Sequence, residues 1–128
     1  MDWYGIIETA ESKPYVLGEH DCLRLACAVV EARTGVDYWE EFKGYHTKRE
    51  ALVTILRIAP SLREAISKKL GKEEIPVLMA QRGDIAIYND GEEHIGICLG
   101  EHIAVLGDNG LIRIPITSDS LLCAWRIE

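Results

Sequence analysis

The spacing of apolar residues changes character at Gly83, and that change constrains the fold more than any other feature of the chain. Before it, apolar residues recur at helical intervals. Leu23, Ala26, Cys27 and Val30 keep i, i+3, i+4, i+7 spacing, and Leu62, Ala65, Ile66 and Leu70 share one face of a later segment. After it, the chain breaks into short β-branched or apolar runs at Asp84–Tyr88, His94–Leu99, Ile103–Leu106, Leu111–Ile116 and Leu121–Ile127. Asn89-Asp90-Gly91, Gly100-Glu101, Gly107-Asp108-Asn109-Gly110 and Thr117-Ser118-Asp119 punctuate these runs as turns. Helices first and an antiparallel meander after them predict an α+β domain. With 128 residues, 48% of them apolar, and no linker or low-complexity stretch, one domain spanning 1–128 is expected.

Helix ends can be read from their capping chemistry. A short first helix is expected around residues 2 to 10, followed by an extended approach, Pro14-Tyr15-Val16-Leu17-Gly18. Asp21 can cap a helix from Cys22 to about Arg33, with Thr34-Gly35 as its stop. Leu25, Ala28 and Val29 widen the apolar surface of that helix, so it should be central. A polar and aromatic segment, Asp37 to His46, leads to Thr47, an N-cap with Glu50 as capping-box partner for a helix reaching about Ala59. Pro60-Ser61 opens one more helix, closed by Gly71.

Charge and cysteine usage narrow the function. Lys plus Arg is 14 against 21 for Asp plus Glu, a net charge of −7, and the basic residues are scattered, so nucleic acid is not an expected partner. The first residues lack the basic start and apolar core of a signal peptide, and no apolar run approaches the roughly 18 residues of a membrane span. A soluble product made in the cytoplasm is expected. The spacing of Cys22, Cys27, Cys98 and Cys123 lacks the short pairs of a disulfide framework or a structural zinc site, and the last three read as core residues. No metal is expected. Trp3, Trp39 and Trp125 read as core or rim anchors, and Lys68, Lys69 and Lys72 complement a helix C-terminus.

The chemistry-bearing pair is Cys22 and His94. Cysteine attacks carbonyls as thiolate, and a helix N-terminus beside an imidazole lowers a thiol from its free value of about 8.5. Cys22 follows the expected N-cap directly. His94, Gly96 and Cys98 share one face of a strand, and Gly96 leaves room beside the histidine for a close approach by another backbone or helix. The pair points to acyl transfer. His46, in a loop after Gly44-Tyr45, is a further residue that could line a cleft.

In order along the chain, Pro14-Tyr15-Val16-Leu17-Gly18, Asp21-Cys22 opening a helix, Arg82-Gly83-Asp84-Ile85-Ala86-Ile87-Tyr88 and His94-Ile95-Gly96-Ile97-Cys98-Leu99-Gly100 resemble the motifs of NlpC-type cell-wall peptidases. The resemblance covers residues 14 to 100 and is strongest to a divergent branch found in tailed phages and prophages. It implies a papain-like fold, with the nucleophile helix packed on a C-terminal antiparallel sheet or small barrel. It implies Cys22 as nucleophile and His94 as general base, with Tyr15 lining the site; Asp21 and His20, next to Cys22 in sequence, are read as substrate-binding candidates. Asp84 is read as structural. The family's serine and glycine after the cysteine are replaced by Leu23 and Arg24. Leu106 stands where the polar residue that orients the base is usual; Asp108 is the nearest replacement and His102 a weaker one.

These implications amount to a cofactor-independent cysteine peptidase or amidase acting on peptidoglycan stem peptides, in association with phage tail proteins and incorporated into a virion tail. The net charge opposes unaided binding to an anionic wall, which suggests delivery by a partner. Two rivals stay open: a tail-assembly or scaffold protein that keeps the fold with little catalysis, and an acyltransferase or deamidase using the same dyad.

Overall fold

The computed structural model describes residues 2–128. Its helices are α1 (Trp3–Glu11), α2 (Cys22–Thr34), α3 (Trp39–Phe42), α4 (Lys48–Leu56) and α5 (Leu62–Leu70), followed by a single 3-10 turn at Val77–Met79. The strands are β1 (Ile85–Asn89), β2 (Glu93–Cys98), β3 (His102–Gly107), β4 (Gly110–Pro115) and β5 (Leu121–Trp125). The class is α+β, with every pairing in the sheet antiparallel.

The caps explain where the helices begin. Asp21 Oδ1 accepts from the Arg24 N–H at 2.8 Å, Thr47 Oγ1 from Glu50 at 3.1 Å, and Ser61 Oγ from Glu64 at 3.1 Å. Glu50 reaches back to the His46 N–H at 2.8 Å, one residue before the cap, completing a reciprocal box. Gly35 and Gly71 close α2 and α5. Two helical expectations shift. The aromatic segment contains the short α3, pinned by the buried Phe42 and by Trp39 edge-on to Tyr45, and α4 ends at Leu56 rather than Ala59. No helix among the described residues is long and apolar enough to cross a membrane.

The strand order is β4-β3-β2-β1-β5, so the expectation of a simple meander is corrected at its last step. After β4 the chain returns to the free edge of β1, where Ile85 pairs with Trp125 and Ile87 with Cys123. Burial of Trp125, whose indole N–H donates to Ser67 Oγ at 3.0 Å, anchors this return beneath α5. Asp84 fastens it: the fully buried carboxylate accepts from the Ile127 and Gln81 N–H groups at 2.9 and 2.8 Å and from Arg126 Nε at 3.0 Å. The structural reading of Asp84 agrees with this arrangement.

α2 packs across β2 and β3. Leu23, Leu25, Ala26, Val29 and Val30 are buried in one core with Ile85, Ile87, Ile95, Ile97 and Leu106. Ala86, Cys98, Ile103, Val105 and Ala124 form a second core on the other face of the sheet. All four cysteines are free, and only Cys22 is not fully buried.

The sheet divides at one point. β3 pairs with β4 along its whole length, yet with β2 only at Ile97–Ala104 and Cys98–Ile103. Beyond Gly96 the two strands part. A Cβ on Gly96 would lie 2.6 Å from Ile103 Cγ2 and 2.7 Å from the Ala104 carbonyl oxygen, so the room foreseen beside the histidine is taken by β3 itself.

Candidate active site

Cys22 stands where three pieces of local structure converge. The first is the tight approach to α2, where Gly18 adopts φ +85° and a Cβ there would lie 2.1 Å from the Tyr45 carbonyl oxygen. The second is the Asp21 cap. The third is the parting of β2 from β3.

Asp21 is 2% exposed and fully engaged with protein donors. Besides capping α2, it accepts through Oδ2 from the Gly18 N–H at 2.8 Å and from the Tyr45 hydroxyl at 2.6 Å. Burial, with this hydrogen bond next, keeps the Tyr45 hydroxyl protonated far above the usual phenol range. These three bonds tie the Asp21 carboxylate to the Gly18 turn, the start of α2 and Tyr45.

The alternation of β2 places its backbone groups. The Cys98 N–H donates to the Asp84 carbonyl on the β1 side, so the N–H groups of Ile97 and Ile95 face the β3 edge. Ile97 finds a ladder there, but Ile95 lies where β3 has left. The Ile95 N–H favours the Cys22 thiolate, as do the N–H groups of Leu23 and Cys22 at the helix start. Burial outweighs them and pushes the thiol up to about 11, with the Asp21 carboxylate acting in the same direction. The lowering expected at a helix N-terminus is thus reversed, because the same packing that delivers the N–H groups also removes water.

His94 precedes Ile95 on β2, and its side chain makes a hydrogen bond away from Cys22. Its Nε2 lies 3.0 Å from Asp90 Oδ1, and its ring packs against Tyr88, its cross-strand neighbour, with centroids 6.0 Å apart. No hydrogen bond joins Cys22 to His94 among the described residues. Asp90 ionises well below the usual carboxylate range, held down first by the Glu92 backbone N–H and then by His94.

Around this pair, Tyr15 is half-buried and its hydroxyl is pushed up to about 12, first by burial and then by the charges of Asp21, Cys22, Asp108 and Glu92. Tyr15 and Cys22 both pack against the core that α2 shares with β1 and β2. Asp108 is exposed in the β3–β4 turn and makes no hydrogen bond to His94. His102 lies at the far end of β3, where its carbonyl accepts from the Leu99 N–H at 2.8 Å. Leu106, at the position expected for the orienting residue, is 1% exposed in the α2 core.

The Nε2 of His20 lies 3.3 Å from the Ala10 carbonyl, and His20 lines a groove with Thr9, Lys13 and Arg24 that Cys22 does not border. His46 is exposed ahead of α4.

With this geometry established, comparison with known proteins adds a family. A family described as a domain of unknown function (DUF6950) matches residues 3–127. The chain belongs to it. No curated protein matches the chain. The match to this family takes in α2, β2 and the β1–β2 turn, so Cys22, Asp90 and His94 all lie within the shared domain.

Sequence reasoning missed two residues of the site. Asp90 was hidden as a turn former four positions before His94, although a hairpin turn of that length folds a carboxylate back toward the strand that follows. Tyr45 carried no signal, because its hydroxyl meets Asp21 only through tertiary structure.

Proposed function

We propose that this chain is a cysteine peptidase or amidase of papain-like fold that cleaves peptide bonds in bacterial cell-wall stem peptides, with phage tail proteins delivering it. One observation carries the reading: Cys22 is the first residue of the central helix α2, and the Ile95 N–H, next to His94 on β2, acts on its thiol. The motif resemblance supplies the substrate class.

Because burial keeps the resting thiol protonated, the chemistry fits general-base attack rather than a standing thiolate–imidazolium pair. His94 takes the thiol proton as sulfur adds to the amide carbonyl. The oxyanion is stabilised by the Cys22 N–H, which helix geometry leaves without an intrahelical acceptor. The imidazolium then protonates the departing amine as the C–N bond breaks, leaving an acyl-enzyme. A water molecule, deprotonated by His94, attacks that thioester, and the thiol leaves with its proton restored. Tyr15 lines the substrate path.

A second reading, a structural tail-assembly protein without catalysis, is favoured by the thiol at about 11 and by the His94 ring being bonded to Asp90 instead of Cys22. Iodoacetamide labelling at neutral pH, followed by mass spectrometry, separates the two. The enzyme reading expects Cys22 to be modified ahead of the buried Cys27, Cys98 and Cys123, and several-fold more slowly in His94→Ala. Labelling of Cys22 that does not respond to His94→Ala supports the structural reading.

A further inference from the structure

We infer that Asp90, in the β1–β2 turn, is the residue that positions His94, in the role for which the strand after the histidine supplies only Leu106. The inference rests on His94 being the base of the proposed reaction.

The turn is built to present this carboxylate. Asn89 Oδ1 accepts from the Gly91 N–H at 2.9 Å, Asp90 Oδ1 from the Glu92 N–H at 3.3 Å, and the Asp90 N–H donates to the Glu92 carbonyl at 3.2 Å. Pairing of Tyr88 with His94 and Asn89 with Glu93 fixes the strands on either side. The imidazole is thereby held twice, with the Tyr88 ring beside it at a 31° tilt and the carboxylate 3.0 Å from Nε2.

The chemistry of the contact assigns the proton. An ionised carboxylate only accepts, so Nε2 must carry hydrogen and Nδ1 is left with its lone pair. Asp90 thus selects the tautomer that leaves Nδ1 as the basic ring nitrogen. Asp90 and His94 keep 48% and 27% of their side-chain surface in solvent. The effect should therefore be far smaller than the ~10⁴-fold associated with a buried triad aspartate, and about tenfold is expected.

The test measures Cys22 labelling rates at one neutral pH in the full chain and in Asp90→Ala, His94→Ala and the double variant. Circular dichroism confirms the fold of each. Asp90→Ala should slow Cys22 by about tenfold, and the double variant should match His94→Ala alone within twofold. Asp90→Asn, whose amide oxygen still accepts from Nε2–H, should recover part of the loss. In the unmutated chain, the imidazole ¹H–¹⁵N spectrum should show His94 protonated at Nε2. An unchanged or faster rate in Asp90→Ala, with His94→Ala still slow, overturns the role of Asp90 and spares the base. Predominant Nδ1 protonation overturns it without any variant. A rate indifferent to His94→Ala removes the base and the positioning role together.

Discussion

Replacing Asp21 by alanine removes the acceptor for the Gly18 N–H, the Arg24 N–H and the Tyr45 hydroxyl in one step. Loss of an aspartate N-cap costs about 1 kcal/mol, within a range of about 0.5–2. The orphaned Tyr45 hydroxyl, in a residue 3% exposed, adds the desolvation penalty of an unpaired buried donor, about 1–3 kcal/mol. Asp21→Ala should therefore destabilise the domain by about 2–4 kcal/mol, a large fraction of the ~5–15 kcal/mol typical of a folded domain. Tyr45→Phe takes away one donor and leaves the carboxylate two, at a cost of about 1–2 kcal/mol. In the double variant no hydroxyl is stranded, so the combined cost should fall short of the sum by about 1–2 kcal/mol. Urea unfolding followed by tryptophan fluorescence, with the buried Trp125 as reporter, measures all three. Strict additivity, or an Asp21→Ala cost below about 0.5 kcal/mol, would refute the view that this carboxylate anchors the nucleophile loop.

Other consequences follow from the same packing. Gly18→Ala combines a left-handed backbone at φ +85° with a Cβ 2.1 Å from the Tyr45 carbonyl oxygen, so it should cost more than the ~1–2 kcal/mol of the dihedral alone, again by urea unfolding. A cost no greater than that of Gly35→Ala, which has a similar φ of +82° but open space around it, would show that the close approach contributes nothing. The thiols set an alkaline limit. Below the ordinary thiol value of 9.0, native and unfolded chains both keep these protons and stability is at its full level. As pH rises further, the unfolded chain releases them first, and stability is lost through about 11 for Cys22 and about 12 for Cys27 and Cys123. The fall in urea midpoint between pH 8 and 10.5 should be shallower in Cys123→Ala, and equal slopes would contradict a thiol held neutral by burial.

Much of the architecture was legible because it is written locally. Asp21, Thr47 and Ser61 mark helix starts through side-chain oxygens that act within three residues, and the β-branched runs after Gly83 mark strands through alternation. The return of β5 to β1 was not legible, since the choice of edge depends on where Trp125 finds a core. The site divides in the same way. Cys22, His94 and Tyr15 stood out through their motifs. The bonds of Asp21 to Gly18, Arg24 and Tyr45 and of His20 to Ala10 were not legible, because proximity in sequence to Cys22 says nothing about which donors or carbonyls occupy these side chains. The thiol was expected low because the helix start was visible and the burial was not.

The central claim is that Cys22 and His94 cut cell-wall peptides, and digestion of purified peptidoglycan sacculi tests it most directly. Soluble fragments from the full chain, Cys22→Ala and His94→Ala would be identified by mass spectrometry. The account predicts stem-peptide fragments from the full chain and none from either variant. Sacculi left intact by the full chain, or cut equally well by Cys22→Ala, would contradict it.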